Sequence, residues 1–214
     1  MIFEDRIEAG RKLAAALDAY RGEDVVVLAL PRGGVPLAFE VARALGAPMD
    51  LLLVRKLGVP AHPELAMGAV MDGSPPVVIR NEDVVRHAWV SGEEFNAVRD
   101  RELAEIERRR QRYLAGRPPV DVKGRIALIV DDGIATGATV KAAIAGLRKL
   151  GPEKIVIAAP VAPPDTVAEL RQAADEVVIL DEPVSFSAIG CFYHDFRQLS
   201  DDDVIALMSK DPTH

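Results

Sequence analysis

Residues 125–141 read RIALIVDDGIATGATVK. Five apolar residues, Ile126 to Val130, run without a polar break into two carboxylates, Asp131 and Asp132. The run is too short for a helix and apolar on every side chain, the pattern of a strand buried on both faces as in a parallel sheet. A short loop of Gly, Thr and Ala follows, then an apolar period that starts at Val140. Gly133 and Gly137 permit tight turns with positive φ, and Thr136 and Thr139 are expected to cap the following helix. The order is therefore strand, acidic pair, glycine–threonine loop, helix.

That order has a chemical meaning. Backbone N–H groups of the loop, with the positive end of the new helix, make an anion site suited to a phosphate. The carboxylates stand one step away, where they accept well from a cis-diol and make poor direct neighbours for phosphate. A ligand with a phosphate at one end and hydroxyls beside it satisfies both halves, and a ribose 5-phosphate has that shape. A Walker B strand also ends in acids, but no G-x-x-x-x-G-K-[ST] occurs in the chain. A receiver-type acidic pocket has no need of the Thr-Gly-Ala-Thr continuation. The segment VDDGIATGAT resembles the phosphoribosyl-diphosphate (PRPP) motif of type I phosphoribosyltransferases: apolar run, two acids, small residues, Thr-Gly-x-Thr. The resemblance is sharp over Leu128 to Thr139 and extends in topology over Val25 to Leu180.

Upstream, Ile7, Leu13, Leu17 and Tyr20 mark an amphipathic helix within Glu4 to Tyr20, ended by Gly22. Val25 to Leu30 reads as the first buried strand. Pro31-Arg32-Gly33-Gly34 follows, with two glycines for close backbone approach and a planar guanidinium for phosphate oxygens. The resemblance places Arg32, Gly33 and Gly34 on the loop that holds the pyrophosphate of PRPP. A helix with the stripe Val35, Leu37, Val41, Ala42 and Leu45 closes at Gly46, and Met49 to Val54 reads as the second strand. It ends in Arg55-Lys56, at the edge where open α/β sheets bind ligands; the resemblance implies that this pair faces pyrophosphate.

Leu57 to Pro76 is dense in Gly and Pro and reads as a long loop, with a hairpin through Ala66 to Met71 and Val77 to Arg80. Loops of that length are usually functional. The resemblance implies a mobile cover over the reacting ligand, with His62 and Glu64 as candidate substrate contacts. Ser91-Gly92-Glu93-Glu94 is a capping box, and a charged helix runs from it to about Leu114. Arg108, Arg109, Arg110 and Arg112 sit among glutamates and read as a solvated face, with a dimer contact or a flap as alternatives.

Downstream, Val140, Ala143, Ile144, Leu147 and Leu150 form a helix stripe, Lys154 to Ala159 a strand, Pro160 to Pro164 a turn, Asp165 to Ala174 a helix and Glu176 to Leu180 a strand. Alternation of this kind predicts an α/β fold: a doubly wound, mostly parallel five-stranded sheet flanked by helices. To it the reading adds a long flexible loop and helical insertion and a small C-terminal hood. The expected organisation is one domain over 1–214, with core about 25–180, insertion about 57–124, and a hood from the N-terminal helix and 181–214. Phe186, Phe192, Tyr193 and Phe196 are four of ten aromatic residues in the chain. The resemblance implies that Phe186, Phe192 and Tyr193 hold the acceptor base; an apolar latch is the alternative. Cys191 reads as structural, and from Asp201 a last helix through Val204 and Leu207 precedes a frayed tail.

Composition bounds the partners. The chain has 214 residues, a formal charge of −7 and a single cysteine. Nucleic acid is disfavoured as the main partner, no intrachain disulfide is possible, and a reducing, cytoplasmic setting is expected. No signal peptide or membrane-spanning stretch is read. The resemblance implies a PRPP-dependent phosphoribosyltransferase that uses Mg²⁺, acts on a small-molecule acceptor and works as a homodimer. In it Asp131 and Asp132 hold ribose hydroxyls directly or through the metal, with Arg55 and Lys56 as further charge. Gly133, Ile134, Ala135, Thr136, Gly137, Ala138 and Thr139 hold the 5-phosphate. The alternative is a non-catalytic sensor of PRPP or a nucleotide on the same fold.

Overall fold

A computed structural model describes residues 1–210. The run at 126–130 is the middle strand of a five-stranded parallel sheet. The strands are β1 Val25–Ala29, β2 Met49–Leu51, β6 Ile126–Val130, β7 Lys154–Val161 and β8 Glu176–Asp181. Their order across the sheet is β2-β1-β6-β7-β8. Side chains alternate across it. Val25, Val27, Ala29, Leu128 and Val130 join the cluster of Leu13 in α1 (Arg6–Ala16) and Leu37 and Val41 in α2 (Gly34–Leu45). Val26, Leu28, Ala127 and Ile129 join Ile144 and Leu147 of α5 (Ala138–Leu150) and Val167 and Leu170 of α6 (Pro164–Ala173). Each fully buried Val, Leu or Ile contributes about 1.5–3 kcal/mol, so an unbroken apolar strand is what a sheet covered on both faces requires.

The insertion differs from the sequence expectation. The second parallel strand stops at Leu51, and the chain enters a separate antiparallel sheet of β3 (Val54–Val59), β4 (His62–Met71) and β5 (Val77–Arg80). The anticipated hairpin of 66–71 with 77–80 is present, but most of the supposed long loop is paired strand. The run LLLV carries no mark of the change of sheet. Two of the supposed breakers, Gly58 and Gly68, lie within strands, where Cβ atoms would stand 2.4 Å from the Pro63 carbonyl oxygen and 2.2 Å from that of Ile79. Close backbone approach, not a turn, explains them. Pro160 likewise lies inside β7 rather than starting a turn.

Helices α3 (Glu82–His87) and α4 (Gly92–Leu114) follow, the latter opened by the expected Ser91–Glu94 capping box. The N-terminal segment meets the tail through hydrogen bonds from Phe3 N–H to Phe192 O (2.8 Å) and from His194 N–H to Phe3 O (2.8 Å). Helix α7 spans Asp201–Met208; the frayed end expected beyond it, 211–214, lies outside the described residues.

Candidate active site

Two loops leave the sheet side by side. Ala29 pairs with Val130, and Leu30 N–H donates to Val130 O at 3.0 Å. The Pro31–Gly34 turn is therefore pressed against the acidic pair. A Cβ on Gly33 would lie 2.1 Å from Asp132 Oδ2, and one on Gly34 2.5 Å from Val130 O, so no side chain fits at either position. The Pro31–Arg32 peptide bond is cis. Between the loops opens a cavity of about 170 Å³, lined among others by Pro31, Arg55, Ile106, Arg109, Asp131 and Thr139. A hollow of about 550 Å³ beneath the β3–β4 turn shares Arg55 and Thr139 with it and adds Lys56.

The acids have different surroundings. Asp131 lines the cavity, and its Oδ1 accepts from Asp132 N–H at 2.9 Å. Burial pushes its pKa well above the usual carboxylate range, and the Asp132 charge beside it adds to the shift. Asp132 is buried, and its Oδ2 accepts from Arg6 Nε at 2.8 Å. Burial raises its pKa too, opposed by Arg6. Arg6 is held in turn: Nη1 donates to Arg197 O at 2.8 Å, and the guanidinium lies 3.9 Å from the centroid of Phe196. Tyr193 Oη donates to Asp132 O at 2.6 Å, and burial raises its pKa. The first acid thus faces the cavity; the second is anchored to the N-terminal helix and the tail.

The loop between the acids and α5 is pinned from below and open above. Ile134 N–H donates to Val161 O (2.9 Å), and Thr166 Oγ1 donates to Ala135 O (2.7 Å). A Cβ on Gly133 would meet Ile189 Cγ2 at 2.5 Å, so the tail covers this glycine. Ala135, Thr136, Ala138 and Thr139 are exposed. The expected threonine caps are absent: Gly137, at φ 69°, is the N-cap, and no side chain caps α5. The first N–H groups of a helix have no intrahelical partner, so this end is suited to an anion.

The cationic pair lies on β3 rather than at the end of a parallel strand. Arg55 is bound to Glu102 of α4 at 2.8 Å while lining the cavity, and Lys56 Nζ donates to Glu64 O at 3.4 Å. The arginine run on α4 is not uniformly solvated. Arg110 is buried between Asp72 and Asp50, where Asp72 has its pKa raised by burial against the pull of Arg110, and Arg109 lines the cavity. Among the aromatic candidates, Phe186 and Phe192 stack at 5.4 Å between centroids, whereas Tyr193 is buried against Asp132. His62 and Glu64 are exposed on β4, and His62 lines a separate hollow with His87. Cys191, expected to be structural, is exposed.

Arg6, Arg109 and Thr166 escaped sequence reasoning. Arg6 left a signal. It stands on the same helical stripe as Gly10, Leu13 and Leu17, and an arginine on a buried face needs a buried carboxylate.

Comparison with known proteins assigns the chain to a family. A model of the phosphoribosyl transferase domain matches residues 3–194; the chain belongs to that family. A protein of Mycobacterium tuberculosis (strain H37Rv), named a "putative phosphoribosyl transferase", is 51% identical over 209 residues, covering 98% of this chain and 47% of that protein. The chain thus spans about half the length of the curated relatives it matches. The crystal structure of TT1426 from Thermus thermophilus is 41% identical, with a TM-score of 0.88 over 99% of both chains. A ribose-phosphate pyrophosphokinase of Pyrococcus furiosus is 44% identical over 71 residues, 31% of this chain and 25% of that protein.

Proposed function

We propose that this chain transfers the 5-phosphoribosyl group of PRPP to a small-molecule acceptor and releases pyrophosphate. One observation carries the reading: Pro31 of the arginine–glycine turn, Asp131 and Thr139 at the uncapped start of α5 line one cavity, and Gly33 and Gly34 of the same turn press against the acidic pair. The loop of Gly133, Ile134, Ala135, Thr136, Gly137, Ala138 and Thr139 receives the 5-phosphate. Asp131 accepts from the ribose hydroxyls, with Asp132 fixing the backbone behind it through Arg6 and Tyr193. Arg32 and the Gly33–Gly34 backbone receive the pyrophosphate, and Arg55 and Lys56 add charge from β3.

Displacement at the anomeric carbon passes through an oxocarbenium-like state, as in glycoside hydrolysis. No protein nucleophile is needed, and the side chains act by positioning and by stabilising charge. Mg²⁺, when bound, neutralises the departing pyrophosphate. The residues fit such an ion. Among the described residues no cluster of three or more His, Cys, Asp or Glu could hold a metal by itself, and Mg²⁺ commonly takes one or two carboxylates plus substrate phosphates. Asp131, a carboxylate disfavoured by burial and by a like charge, gains most from a cation. Phe186 and Phe192 offer a stacking face to the acceptor. A homodimer in the cytoplasm belongs to the same reading. No helix among the described residues is long and apolar enough to cross a membrane.

The test is pyrophosphate release from PRPP and Mg²⁺ across a panel of purines, pyrimidines and small amines. Acceptor-dependent release supports the enzyme. Binding of PRPP with no release for any acceptor favours the non-catalytic sensor.

A further inference from the structure

The loop that follows Asp132 owes its direction to a helix outside the acid–threonine motif. Thr166, in the first turn of α6, is 7% exposed, and its Oγ1 donates to Ala135 O at 2.7 Å. Its methyl lies 3.1 Å from where a Cβ on Gly137 would stand. Ala135 and Thr136 are themselves exposed. The peptide between them is therefore held by this contact from below, not by burial of its own side chains.

The C=O and N–H of a trans peptide point in opposite directions. Among the described residues the cis bonds are Pro31–Arg32 and Ser74–Pro75, so those of this loop are trans. With Ala135 O turned onto α6, Thr136 N–H points away from it, toward the open side of the loop. The next donor follows the same rule. Gly137 O accepts from Lys141 N–H along α5 at 2.8 Å, which sends Ala138 N–H back out of the helix start. Neither N–H has an acceptor among the described residues. A flip of the Ala135–Thr136 peptide would withdraw one of the two donors and put a carbonyl oxygen in its place. Successive N–H groups make an anion cradle only while no carbonyl is turned in among them.

We propose that Thr166 is a positioning residue: its hydroxyl locks the Ala135–Thr136 peptide with the carbonyl inward and the N–H outward, and so sets the affinity of the loop for a sugar phosphate. Thr166 acts through Ala135 and not by touching the ligand. The inference deepens the proposed function and rests on its assignment of this loop to the 5-phosphate.

Titration of ribose 5-phosphate into the isotope-labelled, intact protein, followed through its backbone amide signals, tests it. In wild type the Thr136 and Ala138 amides should move saturably. Thr166→Val keeps the branched shape beside Gly137 and removes the donor, and affinity should fall about tenfold or more, the loss expected for one hydrogen bond to a charged group. Thr166→Ser restores the donor without the methyl and should restore the affinity. Wild-type affinity in the valine variant overturns the proposal. So does a serine variant as weak as the valine one, which would assign the effect to packing, and so does a Thr136 amide that stays still while wild type saturates. Failure of wild type to bind ribose 5-phosphate at all overturns both the proposal and the assignment of the loop. The expected ribose 5-phosphate results without any binding of PRPP sink the transferase reading and leave the role of Thr166 standing.

Discussion

Arg6→Met keeps the length of the side chain and removes its charge. Three contacts go: the ion pair with Asp132 at 2.8 Å, the hydrogen bond to Arg197 O at 2.8 Å and the stacking on Phe196 at 3.9 Å. Deleting one partner of a buried pair costs about 3–5 kcal/mol, because the other is left buried and charged. Both side chains are 10% exposed, and Asp132 can relieve itself by taking a proton, so we set the cost near the lower limit, about 3 kcal/mol. One kcal/mol moves Tm by about 2–4 °C in a chain of this size, so Tm falls by about 6–12 °C at neutral pH. The cost depends on pH. Without Arg6, burial acts on Asp132 with its main opposition gone, and its folded pKa rises further above the ordinary 3.8. A carboxyl raised in this way favours folding below its unfolded pKa, and that contribution is lost as pH rises through the folded pKa. The deficit is therefore smallest near pH 4 and full at neutral pH. Urea unfolding of wild type, Arg6→Met and Arg6→Met/Asp132→Asn across this range measures it. A deficit below about 1 kcal/mol, against the expected 3, refutes the reasoning, and so does one that is flat with pH or no smaller in the double variant.

Asp131 obeys the same rule without a strong partner. Its raised pKa makes the ionised form a burden to the free protein as pH rises, so Asp131→Asn should raise Tm at pH 8, by about 2–4 °C for each kcal/mol relieved, and should have little effect near pH 4; calorimetric melting at both pH values decides this. Gly33→Ala puts a methyl 2.1 Å from Asp132 Oδ2 and should destabilise by about 1–3 kcal/mol, the usual cost of overpacking, as read from denaturant midpoints.

The parallel sheet was legible because a strand buried on both faces must be continuously apolar, and β1, β6 and β7 are. The two loops were legible as loops because β1 and β6 each end in residues unlike an apolar strand: Arg32 with two glycines, and two acids with a threonine loop. What escaped was decided by tertiary contact. Leu52 and Leu53 look like more of the same strand, and only the pairing of Val54 with Met71 turns the chain into a second sheet. Gly58 and Gly68 look like turn residues until the opposing carbonyls are in place. Arg110 and Arg109 are neighbours in one charged run, yet one is buried against Asp72 and the other opens onto the cavity. Helical periodicity alone did not separate them, because the packing of α4 over β3 sets which arginine is covered. Nor did the motif distinguish its two acids; Arg6, 126 positions away, does.

The central claim is that Asp131, Arg32 and the start of α5 grip one ligand together. Calorimetric titration of PRPP with Mg²⁺ into wild type and Asp131→Asn tests it most directly. Wild type should bind one PRPP per chain saturably, and Asp131→Asn should lose that binding while melting no lower than wild type. Equal affinity in the two proteins would contradict it.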